Sequence, residues 1–447
     1  RTLLKNEELM LNIKKISSAD KNFSEILQKH ISQRKLNASG IQSSVKNIIN
    51  EVREFGDDAL VKFSKKFDNY DVKNAKELEV SKETISLALD KISSKELEAL
   101  KFAKNRIQEF SKHQKLESWD YSSDGINLGE KVTPIDKVGI YVPGGSAVYP
   151  SSVLMNAIPA KVAGVHEVIM VVPSPDGEIN NLVLAAACLG EVDRLFRIGG
   201  AHAIAALAFG TNTIPKVNMI VGPGNQYVAE AKKELYGEVG IDNFAGPSEI
   251  LVIADSSANV SWLAADLFAQ AEHDRLAQSI LISPNENLLN EVESYMKKTL
   301  PSLGRKEIIE SSLNSFGMLI HSKDIDEAIE ISNNLAPEHL QLSIKNSEQY
   351  LDKIQNAGAI FLGEHTPEVF GDYCAGSNHV LPTVGTAKFS SPLGVYDFQK
   401  RSTVIQCSKG ASKVLARHAS IIAEAEGLYS HRTSAMLRKK ESSDYEK

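Results

Sequence analysis

The chain has 447 residues, which is long enough for about three domains of ~150 residues each. Hydrophobic residues make up 42% and charged residues 24% of the sequence, a composition typical of a soluble globular protein. The formal net charge of −7 gives no polybasic surface, so neither nucleic acid nor an anionic membrane is expected as a partner.

The three cysteines, Cys188, Cys374 and Cys407, lie far apart and form no C-x-x-C pair. This spacing excludes a disulfide scaffold and a cysteine-rich zinc site, and it fits a reducing, cytoplasmic compartment. No apolar run approaches the ~18 residues that a membrane-spanning helix needs. The start of the chain lacks an apolar signal core. Because the chain opens with Arg1 rather than an initiator methionine, we expect its first residues to have been trimmed or processed.

The chain divides into a helical part followed by two α/β series. About the first 135 residues are predicted to be helical, since SSVKNIINEVREFGDDALVKFSKKF and SKELEALKFAKNRIQEF repeat apolar residues at helical spacing. From Val138 to Tyr236, four short β-branched runs alternate with Ala-rich helices; the runs are VGIYV, EVIMVV, RLFRI and VNMIV. This alternation predicts a parallel sheet covered by helices on both faces.

A second series of predicted strands follows, consisting of EILVIAD, SILIS, GMLIHS, HLQLSI and GAIFLG. Two α/β domains are therefore predicted, and IDNFAGPSE is the crossing between them. After Gly385 the chain becomes rich in Ser, Pro and Gly, and then one more helix is predicted in KVLARHASIIAEAEGL, with Gly427 as its C-cap.

Three Gly-rich turns precede helices in the first α/β series: PGGS at 143–146, IGGAH at 198–202 and VGPGN at 221–225. Open α/β sheets bind ligands outside the carboxyl ends of their strands, and the N–H groups of a helix start suit a phosphate. None of the turns completes the dinucleotide fingerprint, because Tyr227 occupies the third glycine position after Gly222 and Gly224. Nucleotide binding and simple tight turns remain equally compatible with this pattern.

The stretch FAQAEHDRLAQ, residues 268–278, places polar side chains beside an apolar stripe. On a helix that begins near Asn259, Gln270 and His273 are three residues apart and border the buried stripe. A polar boundary of a packed helix is the more frequent meaning of an isolated Q-x-x-H. The alternative is one edge of a metal site, although a glutamine oxygen is a weak zinc ligand.

Glu338 and His339 follow Pro337 in LAPEHLQL, where a helix gives way to a strand. An adjacent acid and base suits proton transfer. Neighbours on a regular strand face opposite sides, so both side chains could reach one substrate only if the backbone is irregular here.

Two later segments carry further candidate residues. VFGDYCAGSNH contains Asp372 and His379 in a Gly-rich loop, and AEAEGLYSHR contains Glu426 and His431 just past a helix end. Each residue alone is typical of a solvated loop, but together with Gln270 and His273 they supply ligands for a metal. The sequence contains neither H-E-x-x-H nor G-x-S-x-G, which disfavours a zincin protease and a serine hydrolase.

In combination, several long motifs of this chain resemble the histidinol dehydrogenase family: IDNFAGPSEILVIAD, FAQAEHD, NNLAPEHLQL, FGDYCAGSNHVLPT, FSSPLGVYDFQKR and EGLYSHR. The resemblance covers nearly the whole chain. It implies oxidation of L-histidinol to L-histidine through an aldehyde, with two NAD+ reduced, as the last step of histidine biosynthesis. It also implies one Zn2+ per site.

The resemblance also implies roles for individual residues. The zinc ligands would be Gln270, His273, Asp372 and His431. The catalytic pair would be Glu338 and His339. Substrate contacts would be made by Ser248, Glu426, His339 and the metal ligands, with His379 as a further candidate.

Contacts to NAD would fall on Tyr141, Asn225 and the residue that follows GGA. At that last position the family commonly has glutamine, whereas this chain has His202. A neutral imidazole has one N–H donor and one acceptor nitrogen on a rigid ring, whereas the amide of glutamine has two N–H donors beside its carbonyl oxygen, so His202 does not reproduce the contact that the family makes there.

The resemblance further implies a fold of two Rossmann-like parallel-sheet domains with small helical N- and C-terminal segments, in an arm-exchanged homodimer with His431 supplied in trans. We expect an N-terminal helical segment at 1–37 and a first domain, with the metal and catalytic residues, at 38–140 plus 249–392. A second domain on the NAD side is expected at 141–248 and a C-terminal arm at 393–447. Two other classes of function compete with the dehydrogenase: a two-lobed α/β binding protein and a metallohydrolase.

Overall fold

A computed structural model of the protein describes residues 11–35, 40–144, 148–244 and 246–439. Within these ranges the strands, in chain order, are β1 (Lys14–Ser17), β2 (Glu79–Val80), β3 (Trp119–Ser123), β4 (Ile126–Pro134), β5 (Lys137–Tyr141), β6 (Glu167–Val171), β7 (Arg194–Phe196), β8 (Met219–Val221), β9 (Gly240–Ile241), β10 (Glu249–Ala254), β11 (Gln278–Ser283), β12 (Met318–His321), β13 (His339–Ser343), β14 (Ala359–Leu362) and β15 (Gln399–Cys407).

The α-helices in the same ranges are α1 (Phe23–Lys35), α2 (Gln42–Phe55), α3 (Asp57–Phe67), α4 (Lys82–Leu87), α5 (Ser94–Gln114), α6 (Pro150–Ala163), α7 (Asn181–Leu189), α8 (Gly200–Phe209), α9 (Gln226–Leu235), α10 (Val260–Ala271), α11 (Glu286–Thr299), α12 (Lys306–Phe316), α13 (Ile325–Leu335), α14 (Glu368–Tyr373), α15 (Lys409–Ala425) and α16 (Tyr429–Leu437). Among the described residues, none of these helices has both the length and the apolar character needed to cross a bilayer.

The strands form two six-stranded sheets and one three-stranded sheet. Sheet I has the order β1-β12-β11-β10-β13-β14 and is parallel throughout, and sheet II has the order β2-β7-β6-β5-β8-β9. Sheet II is parallel except where β2 pairs with β7. All nine strands predicted from β-branched runs are present, as β5–β8 and β10–β14, so the expected α/β class with two parallel sheets is confirmed.

Both large sheets are covered by helices on both faces, which explains why their strands are apolar at nearly every position. In sheet I, Ile250 and Val252 pack with α10 to α12, whereas Leu251 and Ile253 pack with α13 on the other face. Sheet II alternates in the same way, with α5 to α7 on one face and α2, α3, α8 and α9 on the other. The central strands β5, β6, β10 and β11 therefore each contribute to two hydrophobic cores.

The expected division of the chain was wrong for residues 38–140, which we had placed with 249–392. Helices α2 to α5 instead pack on sheet II: Ile49 and Phe63 share a core with Ile198 and Ala203. Helical periodicity identifies the apolar stripe of a helix but carries no information about which sheet covers it, so the assignment could not be made locally.

Several short or exposed strands were also not predicted. The segment expected as helical at 1–37 contributes β1 to the edge of sheet I, while residues 1–10 and 36–37 lie outside the described residues. Sheet III, with the order β15-β4-β3, is antiparallel and pairs the expected C-terminal arm with residues 119–134. Gly427, at φ +76°, follows α15 and its capping residue Glu426, in agreement with the predicted helix end.

Residues 242–248 connect the carboxyl end of β9 in sheet II to the amino end of β10 in sheet I. The loop after Asp372 also bridges the two parts, since Asn378 Nδ2 donates to the carbonyl oxygen of Met155 in α6 at 2.7 Å. The carboxyl edge of sheet II and the amino edge of sheet I therefore border the same region, and the candidate functional residues outside the C-terminal arm lie there.

We predict that Gly222→Ala destabilises the protein more than Gly237→Ala. Both glycines have a φ near +100°, where an alanine is strained by roughly 1–2 kcal/mol. A Cβ on Gly222 would in addition lie 2.1 Å from the carbonyl oxygen of Tyr141, whereas no atom lies within 4 Å of a Cβ on Gly237. Thermal unfolding of both variants measures the difference, and equal losses of Tm would show that the close crossing at Gly222 is not rigid.

Candidate metal and catalytic site

The residues that could bind a metal or transfer a proton lie together at the amino edge of sheet I. Gln270 lies in the last turn of α10, and His273 lies just beyond the helix end, where its N–H donates to the Gln270 carbonyl oxygen at 3.3 Å. Asp372 lies on α14, and Glu338 and His339 lie at the start of β13. The general rule that ligands bind at carboxyl strand ends therefore does not describe sheet I, because α10, α13 and α14 deliver their polar ends to the opposite edge.

Three side chains form a group that could hold a metal ion. The ligand atoms of His273, Glu368 and Asp372 all lie within 4.8 Å of one another. The Gln270 side chain is fully buried beside them. In the orientation that satisfies both of its amide atoms, the nitrogen donates to Glu368 Oε1 at 2.6 Å, which leaves the amide oxygen for a cation.

Glu368 is a member of this group that the sequence analysis missed. Glu368 and Asp372 are four residues apart on α14, so both side chains project from one face of this short helix. The spacing E-x-x-x-D was visible in the sequence, but the Gly-rich surroundings predicted a loop rather than a helix. The backbone N–H of Glu368 donates to Gln341 Oε1 at 3.3 Å, and Gln341 in turn donates to Asp266 at 2.6 Å.

The orientation of the His339 ring is set by the backbone. Nδ1 lies 2.8 Å from the carbonyl oxygen of Glu249, so Nδ1 carries the proton and donates it there. Nε2 is buried, has no hydrogen-bond partner of good geometry among the described residues, and lies 3.4 Å from Asp372 Oδ1. This arrangement directs Nε2 into the site, so Nε2 is the ring atom placed to exchange a proton there.

Glu338 and Glu249 are bound to each other through a reciprocal pair of hydrogen bonds. The N–H of Glu249 donates to Glu338 Oε2 at 2.8 Å, and the N–H of Glu338 donates to Glu249 Oε2 at 3.3 Å. The second oxygen of Glu249 accepts from the N–H of Val384 at 2.8 Å. Glu249, which the sequence analysis did not single out, therefore holds Glu338 and His339 in place from the neighbouring strand.

Glu338 and His339 lie where α13 gives way to β13 rather than within a regular strand. Ala336 ends α13 in the left-handed conformation, with φ 52° and ψ 63°, and His339 is the first residue of β13. Glu338 Oε2 and His339 Nδ1 are 3.7 Å apart, and both side chains are buried. The two residues do reach one region of the structure.

Burial and mutual repulsion shape the protonation of the site. Burial raises the pKa of Glu338 to about 8 and raises the pKa of Glu368 well above its ordinary value. Burial lowers the pKa of His339, but Glu368, Glu338 and Asp372 outweigh this effect and raise it well above its usual range. Burial lowers the pKa of His273, which keeps this imidazole neutral and able to coordinate a metal.

Two more candidate residues border the group. His379 Nδ1 lies 2.9 Å from the carbonyl oxygen of Asp372, and its Nε2 lies 3.2 Å from Ser152 Oγ at the start of α6. Ser248 immediately precedes β10, and its carbonyl oxygen accepts from the N–H of Gln278. His379 thus joins the last turn of α14, which carries Asp372, to the start of α6.

Tyr141 and His202 lie at the carboxyl edge of sheet II, but neither presents a free polar group to the surface. The Tyr141 hydroxyl accepts from the N–H of Gly200 at 3.0 Å. The His202 ring is fully buried, with its centroid 5.4 Å from that of Phe63 and 5.8 Å from that of Phe67. Neither His202 nitrogen has a hydrogen-bond partner among the described residues, and burial lowers its pKa to about 3.

Asn225 occupies the third Gly-rich turn and is exposed. Its side-chain oxygen caps α9 by accepting from the N–H groups of Tyr227 and Val228. Of the first turn, PGGS, residues 145 and 146 lie outside the described residues. The turn at 222–225 is thus the described one that combines an exposed polar residue with a helix start.

Glu426 and His431 do not join the group formed by His273, Glu368 and Asp372. Both lie on the exposed C-terminal arm, Glu426 just after α15 and His431 in the first turn of α16. This arm also exposes large apolar side chains: Val404, Ile405, Val414, Leu415, Ile421, Ile422 and Tyr429.

Comparison with known proteins gives consistent results along the chain. A family model described as histidinol dehydrogenase matches residues 31–439. The histidinol dehydrogenase of Pseudomonas fluorescens (strain Pf0-1) is 53% identical over 430 residues, which cover 96% of this chain and 98% of that protein. That of Nitrosomonas europaea is 52% identical over 96% of this chain and 100% of its own length.

A solved structure agrees with the fold. The crystal structure of histidinol dehydrogenase from Elizabethkingia anophelis has a TM-score of 0.90 and 36% sequence identity to this chain, and it covers 96% of this chain and 98% of its own. The similarity in sequence and the similarity in fold thus extend over the same large fraction of the molecule.

Proposed function

This chain belongs to the histidinol dehydrogenase family, and we propose that it catalyses the zinc-dependent oxidation of L-histidinol to L-histidine, with two NAD+ reduced. The observation that carries the proposal is the buried group of metal-ligand atoms beside the Glu338–His339 pair. A metal site and a proton-transfer pair in direct contact suit a metal-assisted oxidation of an alcohol.

The donor set fits a divalent cation. Burial raises the pKa values of Glu338 and Glu368, and a cation bound nearby would stabilise their carboxylate forms. Gln270, His273, Asp372 and His431 of the partner subunit would hold zinc. Glu368 would fix the Gln270 amide so that its oxygen is the available ligand.

When bound, zinc would orient the imidazole and amine of the substrate, and NAD would accept the hydride in each oxidation. His339 would accept the alcohol proton at Nε2, since Nδ1–H is held by the Glu249 carbonyl oxygen. In the second oxidation Glu338 would take a proton from the water that adds to the aldehyde, and His339 would accept the proton of the resulting hydrate. Ser248, Glu426 and His379 are proposed as substrate contacts.

Not all of the residues expected to contact NAD present a free polar group to it. The turn at 222–225 suits NAD, because it leads into the start of α9 and Asn225 is exposed there. The Tyr141 hydroxyl is already hydrogen bonded, and the His202 ring is enclosed by Phe63 and Phe67. We therefore propose Asn225 as the main described contact and Tyr141 as a residue that shapes the site through Gly200.

We propose a homodimer in which the C-terminal arm of each chain completes the site of its partner. The support is the exposure of His431 together with the exposed apolar side chains of the arm, which a second copy would cover. We also propose a cytoplasmic location, because all three cysteines are free and thiols persist in a reducing compartment.

The first test of the function is formation of NADH from NAD+ and L-histidinol. We expect one zinc per chain by elemental analysis and loss of both oxidation steps after chelation. His273→Asn should lose zinc and activity, whereas His113→Asn, at a histidine whose side chain is 79% exposed on α5, should retain both. Active protein without any divalent metal would refute the metal assignment, and zinc-dependent hydrolysis without NAD would favour a metallohydrolase.

The second test addresses Glu338. If Glu338 activates water, Glu338→Gln should slow oxidation of the aldehyde by ~10²–10⁴-fold and should slow oxidation of the alcohol less. Because burial raises the pKa of Glu338 to about 8 and only the carboxylate acts as a base, the wild-type aldehyde step should accelerate as pH rises through about 8. The variant should lack this dependence.

Glu330→Gln, on the exposed face of α13, is the matched control for this substitution and should behave as wild type. His339→Asn should impair the alcohol step as well. Equal losses in both steps for Glu338→Gln would show that Glu338 has a different role.

The third test addresses exchange of the arm. Inactive Glu338→Gln and inactive His431→Asn chains are unfolded, mixed equally and refolded. About half of the dimers should be mixed, and each mixed dimer should contain one site with both residues intact, so roughly a quarter of all sites recover. If mixed dimers form but activity stays at the level of the unmixed variants, His431 acts in its own chain.

A further inference from the structure

We propose that the buried ion pair between Lys232 and Asp242 is a positioning device that holds the turn 222–225 in the conformation that receives the nucleotide. The proposal rests on the proposed function, since it takes this turn as part of the NAD site. Neither residue was singled out from the sequence, and neither contacts the metal and catalytic group described above.

Both charges are directed at one glycine. Lys232 Nζ donates to the carbonyl oxygen of Gly222 at 2.6 Å and to Asp242 Oδ1 at 2.6 Å. The other oxygen of Asp242 accepts from the N–H of Gly222 at 2.7 Å. The ion pair therefore binds both backbone polar groups of Gly222, and each of the two side chains is only 2% exposed.

Stability alone is a poor explanation for such a pair. Desolvation of two charges offsets most or all of their attraction, and a buried ion pair is often no more stabilising than apolar side chains of similar size. Neutral residues could fill the same space, but an apolar pair would leave both polar groups of Gly222 without these partners. The geometry thus points to control of the local backbone.

The ion pair holds Gly222 in a backbone conformation that a residue with a side chain would not readily adopt. Gly222 has a φ of +105° and passes so close to β5 that a Cβ would lie 2.1 Å from the carbonyl oxygen of Tyr141. Beyond it, Asn225 caps α9, and the same helix carries Lys232 back to Gly222 from two turns further on. The turn is therefore fixed at its first residue by the ion pair and at its last residue by the helix cap.

Asp242 also links the turn to the catalytic residues. Asp242 is the first residue of segment 242–248. Glu249, the first residue after this segment, binds Glu338 and His339 through its backbone and side chain. Asp242, at one end of this stretch, therefore binds the turn 222–225. Glu249, just beyond its other end, binds Glu338 and His339. We infer that the ion pair fixes the nucleotide turn relative to the catalytic residues.

The experiment measures NAD binding by the zinc-loaded enzyme in the absence of histidinol, for wild type, Lys232→Met, Asp242→Asn and the double variant Lys232→Met/Asp242→Leu. The matched control is Lys233→Met, which changes the neighbouring lysine of α9, with a 64% exposed side chain. If the receptive conformation falls to about a tenth of the population, Kd for NAD rises about tenfold. KM for NAD should rise in parallel, while KM for histidinol stays within about twofold and Lys233→Met resembles wild type.

A second readout is amide hydrogen exchange in NAD-free protein. Residues 219–226 should exchange faster in the three variants of the ion pair, called the clamp variants, than in wild type or Lys233→Met. Folded clamp variants with an unchanged Kd for NAD would overturn the proposal, as would equal increases in both KM values. If none of the three clamp variants folds, the pair is a requirement for folding and the proposal is also rejected. A wild-type enzyme that binds no NAD would instead overturn the proposed function itself.

Discussion

Burial of several carboxylates around a single imidazole creates a local electrostatic requirement that organises the site. Glu338, Glu368 and Asp372 surround His339, and burial raises the pKa values of both glutamates. Buried charges of this kind are costly inside a protein unless they are paired, and a cation held by His273 and Asp372 would add to the pairing that His339 provides. Binding of a metal would therefore change the protonation of His339 and of the carboxylates around it.

The protein maintains this charged cluster with hydrogen bonds from rigid backbone. Glu249 accepts from His339 through its carbonyl oxygen and exchanges two hydrogen bonds with Glu338, so a neighbouring strand orients both of these side chains. Groups held in this way need little reorganisation during a reaction. The Gly222 turn is bound in a comparable manner by a buried ion pair, and segment 242–248 connects the two arrangements.

The location of the site follows from how two sheets meet. In sheet II the functional turns follow the carboxyl ends of strands, as in other open α/β sheets. In sheet I the candidate residues Glu249, Glu338 and His339 lie at the amino ends of strands β10 and β13, because segment 242–248 joins the carboxyl edge of one sheet to the amino edge of the other. A site between two sheets can draw one set of residues from each, which suits a reaction between a substrate and a separate nucleotide.

Local patterns in the sequence determined the α/β class, the nine strands of the two series and the family. The reason is that β-branched runs and long motifs can be recognised from the order of the residues without knowledge of tertiary contacts. The same motifs identified Gln270, His273, Asp372, Glu338 and His339, which the structure brings to one region. The sequence could not assign helices α2 to α5 to sheet II, since an apolar stripe does not specify the surface that covers it. Only the tertiary structure placed Glu249 and Glu368 in the site and paired Lys232 with Asp242 over Gly222, because these contacts join residues whose proximity depends on how the strands are ordered and the helices packed.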